Sequence, residues 1–306
     1  MQLQINQSIP RTLLYTAYDY SPIGNIREQL TNFDEFSVIS KPTWQLISLS
    51  THHADAAQLV NLIGADRELS RQFMQLAASS LYQQSHSVDN LNKVITEVFG
   101  FEFSISFALH LTLHRTFKSN CPSVIGDRSL MIQALMSVEL MRRLSQALPM
   151  IIRPHPREIY LTALLHNIGY ALFDYKFKDE FLYLNQLIEK NPNLTIINIE
   201  QFAFNIDHGL LGTWLMRLLH LPSAVTNVIY HHHNPNYRGA HYVLNQLTFL
   251  NDCLLGQIGI GDAQNQNCPE TLYRALHLIP ELGDKLLEEI KPHFSTVEAL
   301  VEKFGL

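Results

Sequence analysis

Histidine carries the chemical potential of this chain, with fifteen among 306 residues. Four places stand out: His166-Asn167, His208, the run His231-His232-His233, and Asp252. Imidazole ligates borderline divalent metals and carboxylate suits harder ones. The gaps between these places are long, so each must come from a different helix. A helical bundle can gather such groups from facing helices. Taken singly, each histidine is better explained by a structural or capping role than by ligation. His110 and His114, four apart in an apolar stretch, read as packing or helix-surface residues.

Other chemistries are excluded more directly. There is no phosphate-binding G-x-x-x-x-G-K-[ST] loop, no G-x-G-x-x-G and no G-x-S-x-G elbow. The three cysteines, Cys121, Cys253 and Cys268, are odd in number and form no C-x-x-C. A disulfide scaffold and a cysteine zinc cluster are therefore not expected. The formal net charge of -6 argues against direct nucleic-acid binding. Arg142-Arg143 is a small basic patch that reads as a solvated face. The N-terminus lacks a basic segment followed by an apolar one, and no apolar run reaches the length of a spanning helix. The expectation is a cytoplasmic protein without a transmembrane segment.

The elements that must position the histidines read as helices. Charged residues make up only 16% and hydrophobic ones 46%, which suits a well-buried body. Leu59, Leu62 and Ile63 form one helical stripe; Leu69, Phe73, Leu76 and Ala77 form a second. Val88, Leu91, Val94, Ile95 and Val98 form a third, ended by Gly100. Asp66 and Ser87 are placed to cap the second and third. Residues 117–127 form a loop that divides the chain into two helical lobes. Beyond it, Met131, Ala134, Leu135, Val138, Met141 and Leu144 mark a long helix. Ile159, Ala163, Leu164 and Ile168 mark the next, ending near Gly169. Further helices are expected over 179–190, over 208–219 and around Val225–Ile229. Val243–Leu254 gives another, then a loop with Gly259 and Gly261, and a last helix through Leu282, Leu286 and Ile290. Leu3 and Ile5 permit a short strand in the N-terminal part.

Several segments resemble one family. Leu164-Leu165-His166-Asn167-Ile168-Gly169 is similar to the L-L-H-D-I-G core of the HD superfamily. Glu200, followed eight residues later by His208 within Asp207-His208-Gly209-Leu210-Leu211-Gly212, resembles the Glu then D-H-x-x-x-G pattern of the HDOD branch. Leu221-Pro222 and His232-His233-Asn234-Pro235 resemble its L-P and H-H-x-P signatures. Ile63–Leu69 resembles its I-x-x-D-P-x-L segment, and Ala77-Ala78-Ser79-Ser80 its A-N-S-A. The chain is identified on these motifs as a member of the HDOD family of bacterial signalling proteins, over residues 38–260.

The resemblance implies an all-α, HD-like bundle. An N-terminal lobe would span 38–120 and a degenerate HD-like lobe 128–260, with extensions at 1–37 and 261–306. It also implies a non-catalytic regulatory module with a signalling protein as partner. The early histidine of an HD phosphohydrolase falls here near Gln133, and Asn167 replaces the doublet's aspartate. The vestigial site would comprise His166, Asn167, Glu200, His208, His232, His233 and Asp252. No cofactor is required; a weak divalent metal on His166, His208, His232 and Asp252 is the one left open. The rival readings are a divalent-metal phosphohydrolase acting on nucleotides or cyclic dinucleotides, and a nucleotide-binding module.

Overall fold

The computed structural model describes residues 38–51, 55–82, 89–118, 124–263, 266 and 268–306, together with Ile26. The chain divides into two units, Met1–Asp34 and Glu35–Leu306; the second is described here. The strand expected near Leu3 and the cap at Ser87 lie outside the described residues. Among those residues every regular element is helical. No single helix among them is long and apolar enough to cross a membrane.

The first helices are α1 (Lys41–Thr51), α2 (Ala56–Ala65) and α3 (Arg67–Ala77). Asp66 caps α3: its Oδ1 accepts from the amides of Glu68 and Leu69 at 3.1 and 3.0 Å, which otherwise lack partners at a helix start. The short α4 (Leu91–Lys93) runs into a π-helical turn, Val94–Phe99, capped by Asn90. After Gly100 comes α5 (Phe101–Thr116), whose length is almost wholly buried. His110 and His114 lie on it as buried residues.

The next helix is the long α6 (Asp127–Ala147). It packs against α7 (Pro156–Leu165), α13 (Tyr242–Gln257), α15 (Pro280–Ile290) and α16 (His293–Lys303). Arg142 and Arg143 on its flank are not simply solvated. Both reach Glu139, at 3.5 and 3.8 Å, and Arg143 also pairs with Glu289 at 3.1 Å.

The remaining helices are α8 (Ile168–Lys176), α9 (Lys178–Lys190), α10 (Ile196–Phe204), α11 (His208–Leu218), α12 (Ser223–His231) and α14 (Glu270–Ala275). The helix expected to run through Ile159–Ile168 instead ends at Leu165 and restarts at Ile168. Gly169 is inside the new helix and does not stop it. Its role is close approach: a Cβ there would sit 1.9 Å from the carbonyl oxygen of His208. A Cβ at Gly212 of α11 would fall 2.8 Å from Ile229 Cγ2 of α12 and 3.3 Å from the Gly169 backbone nitrogen of α8. Small residues thus let α11 be pressed between α8 and α12, and this contact places His208 among its neighbours.

Candidate metal centre

His208 is fully buried at the first turn of α11. Glu200, equally buried on α10, receives the His208 backbone amide at 3.3 Å and the ring Nδ1–H at 2.9 Å. The other face of the ring stacks on Tyr170 of α8, with centroids 4.0 Å apart. His232 follows α12 and donates its Nδ1–H to the carbonyl of Ile229 at 2.8 Å. A carbonyl can only accept, so Nδ1 holds the proton and Nε2 presents a lone pair. Glu200 imposes the same tautomer on His208.

The two Nε2 atoms nevertheless lie 3.2 Å apart. His233 brings its own Nε2 to 3.0 Å from that of His208. The fourth member is Asp262. Its Oδ2 lies 3.4 Å from His208 Nε2 and 3.2 Å from His233 Nε2, and accepts from the Tyr170 hydroxyl at 3.1 Å. Asp262 reaches back because the chain after α13 turns through Gly259 and Gly261, with φ of +78° and +86°. Side chains rarely adopt those values. Gly261 also has no room for a side chain: a Cβ would fall 2.4 Å from Gln133 Nε2.

One ligand atom from each of His208, His232, His233 and Asp262 lies within 4.8 Å of all the others. A tetrahedron with metal bonds of about 2.0–2.1 Å has edges of about 3.3–3.4 Å. The four separations above, 3.0 to 3.4 Å, fit that figure. The outer contacts fit as well, since ligating histidines usually give the other ring N–H to a carboxylate or carbonyl. Gln266 stands beside His233 Nδ1 at 3.2 Å, and its buried Oε1 has no partner. Turned over, that amide would accept the third Nδ1–H. The donor set therefore suits a divalent cation such as Zn²⁺.

Charge tells the same story. Burial alone would depress His208, but the Glu200 carboxylate outweighs it and raises the ring to about 9. Burial, reinforced by His233, His208 and His166, holds His232 well below the ordinary value. Asp262 is held well below the carboxylate range: burial opposes this, but the charge and hydrogen bond of His233 prevail. Lone pairs crowded this closely need a cation among them, either a proton on His208 or a metal ion.

His166 and Asp252 belong to a second, adjoining cluster. His166 Nε2 is 3.2 Å from Asp252 Oδ1, and its Nδ1 faces the carbonyls of Thr162 and Ala163 at 3.1 and 3.2 Å. Burial would lower His166, but Asp252 raises it. Its ring meets that of His232 with centroids 5.5 Å apart. Asn167 does not face a carboxylate site; its Nδ2 donates to Gln133 Oε1 at 3.0 Å. The ligand set expected from sequence thus divides. His208 and His232 converge, whereas His166 and Asp252 pair with each other, and His233 and Asp262 take the remaining places. Asp262, Tyr170 and Gln266 were not singled out in the sequence; the one signal for Asp262 was its position directly after the two glycines.

A cavity of about 290 Å³ opens beside Tyr170, Asp262 and Gln133. Its charged lining side chains are Glu189 and Asp262, with no lysine or arginine among the described residues.

The HDOD domain model matches residues 45–235. The chain belongs to the HDOD family. Within the wider HD superfamily its site is degenerate, with Gln133 and Asn167 where the resemblance calls for histidine and aspartate. Three solved structures share the fold. One, from Marinobacter aquaeolei VT8 and described as acting in signal transduction, is 24% identical with a TM-score of 0.77; the match covers 93% of this chain and 62% of that one. An HDOD domain protein of unknown function from Geobacter sulfurreducens is 16% identical, TM-score 0.71, covering 91% and 96%. A protein from Shewanella amazonensis SB2B described as a phosphohydrolase is 13% identical, TM-score 0.64, covering 90% and 97%. No curated protein matches the sequence.

Proposed function

We propose that this chain is a non-catalytic signalling module that acts on a protein partner, with its HD-like site reduced to a single-metal centre that fixes structure. The observation that carries this reading is the bond from Asn167 Nδ2 to Gln133 Oε1. A two-metal phosphohydrolase holds its ions about 3.5–4 Å apart, which requires bridging negative charge. Here two neutral amides share a hydrogen bond at the positions where the family resemblance puts histidine and aspartate. Asp252, the remaining carboxylate of the expected set, is paired with His166. The description of the Marinobacter protein as one of signal transduction supports the same reading. We also take 38–120 and 128–260 as the two lobes of the module, and 1–37 and 261–306 as its extensions.

The second reading, a metal-dependent phosphohydrolase, is favoured by the four-ligand cluster, since a bound divalent ion would polarise water and phosphate oxygens. The cavity beside the cluster argues against it. Phosphate is commonly recognised by arginine or lysine; the charged side chains of the described walls are both acidic, Glu189 and Asp262, and the start of α10 at Thr195 and Ile196 is what the lining offers an anion instead. The deciding experiment loads the protein with Zn²⁺, Mn²⁺ or Fe²⁺ and offers mono- and cyclic dinucleotides and a generic phosphodiester. No turnover is expected. Turnover that tracks metal content and disappears in His208→Ala would overturn the proposal.

A further inference from the structure

The run of three histidines does not act as one unit. His232 and His233 join the ligand cluster. His231, the last residue of α12, instead lines a surface groove of about 610 Å³ along α11 and α12. Arg217 and His220 share that lining, and among the described residues no carboxylate does. Both are exposed. Arg217 forms no ion pair among the described residues.

The sequence explains the sign of the groove. The chain holds 28 acidic residues, yet none falls between Asp207 and Asp252. α11, α12 and the turn between them all come from that stretch. The groove is therefore positive on a chain whose net charge is -6. The start of α12 at Ser223 lies in the same lining, and the positive end of its helix dipole adds to the side chains.

These groups are also held in place. His220 takes the left-handed position after α11, with φ of +53°, where glycine is usual. The Leu221 amide closes that turn by donating to the Met216 carbonyl at 3.0 Å. The His231 ring stacks on Tyr237 with centroids 4.1 Å apart. Tyr230, next to it, is 51% exposed and offers an apolar face. A second depression of about 330 Å³ shares His220 and continues past Pro222 to His155. Arg157 and Glu158 line this end, and Arg157 is already paired with Glu102 at 2.5 Å. The positive charge is thus concentrated around Arg217.

We propose that the groove docks an acidic, extended segment of a partner protein, whose carboxylates meet Arg217, His220 and His231 and whose apolar side chains cover Tyr230. This rests on the reading of the chain as a module that acts through a protein partner. Charge complementarity identifies the occupant. A nucleic acid is also anionic, but a long strand would meet the acidic remainder of the chain.

The test uses the full chain and a fluorescein-labelled oligoglutamate peptide, read by fluorescence anisotropy. Saturable binding is expected, weakening as salt is raised, because exposed charge pairs are screened. Arg217→Glu should weaken it about tenfold, by setting like charges against each other. Lys178→Glu makes the same change in net charge at the start of α9, outside the groove, and should leave binding unchanged. Amide NMR shifts on adding peptide should map to 213–231 and to His155. Equal losses in the two variants would show that binding follows net charge alone and would overturn the proposal. Absence of saturable binding, or shifts confined to other helices, would do the same. Tighter binding of an oligothymidylate of matched charge would overturn the assignment to a protein segment. Turnover of a phosphodiester by the metal-loaded protein would remove the non-catalytic reading without touching the peptide result. Loss of peptide binding with no turnover would remove the groove alone.

Discussion

His208 and His232 face each other through Nε2 at 3.2 Å, while each has already given its Nδ1 proton to the protein. Two lone pairs at that distance repel unless a cation joins them. The expected outcome is about one tightly held divalent ion per chain, with Zn²⁺ favoured by three imidazoles and one carboxylate. At a free concentration of 100 times Kd, such an ion would add about 2.7 kcal/mol of stability. Metal analysis and thermal unfolding with and without chelator measure both. Asp262→Asn and His208→Ala should lose the ion, whereas Asp252→Asn should keep it. Retention in the first two with loss in the third would move the site to His166.

The amide pair makes a stability prediction. Gln133 is 3% exposed and Asn167 7% exposed. Gln133→Leu keeps the bulk but strands the Asn167 amide in a buried place. A buried group left without its partner costs about 1–3 kcal/mol. Urea unfolding of the variant should show a loss of that size. A neutral result would mean that the pair contributes nothing to holding the α7–α8 break.

The helices on both sides of 117–127 were legible in the sequence because their stripes have a clean helical period and their ends carry ordinary signals. Asp66 illustrates this: a carboxylate before an apolar run caps the helix that follows. The break at His166-Asn167 was not legible. It follows from α11 crossing Gly169, a contact between residues distant in sequence. The carboxylate that joins His208, His232 and His233 was hidden for a related reason. Asp252 occupies a helix and Asp262 a loop, and the sequence reading singles out Asp252 alone. Only the backbone turn at Gly259 and Gly261 decides that Asp262 swings inward.

Acid should weaken the fold through α5. Burial, together with the neighbouring His114, pushes His110 down to about 3, and burial pushes His114 down to about 4. Both values lie below the unfolded value of about 6.5. As pH falls below that value, the unfolded chain takes up protons that the folded chain refuses. Stability is therefore lost from about pH 6.5 downward and levels off only near the folded values. At pH 5 each ring costs about 2 kcal/mol relative to neutral pH. His110→Phe should make the difference in unfolding free energy between pH 7.5 and pH 5 smaller by about that amount. An unchanged difference would show that His110 takes up its proton in the folded state.

The glycine contact that sets His208 in place gives the sharpest structural test. In Gly169→Ala the new methyl would lie 1.9 Å from the His208 carbonyl oxygen and 2.9 Å from the Gly212 amide nitrogen. Both are backbone atoms, so no side chain can swing aside. Either α8 and α11 separate or the first turn of α11 unwinds. Either response moves His208 away from Tyr170, Glu200 and Asp262. Destabilisation of about 3 kcal/mol is expected, the upper end of what core overpacking usually costs, together with loss of the ion expected above. Gly64→Ala is the matched control. Gly64 also lies in a helix, but a Cβ there meets only Leu91 Cδ2 at 3.8 Å, an ordinary contact. Exchanging a helical glycine for alanine at such a site stabilises by up to about 1 kcal/mol. Thermal unfolding of the two variants should therefore shift in opposite directions, with metal content falling only in Gly169→Ala. A Gly169→Ala protein that unfolds like the parent and keeps its metal would show that α8 does not press on α11 as described.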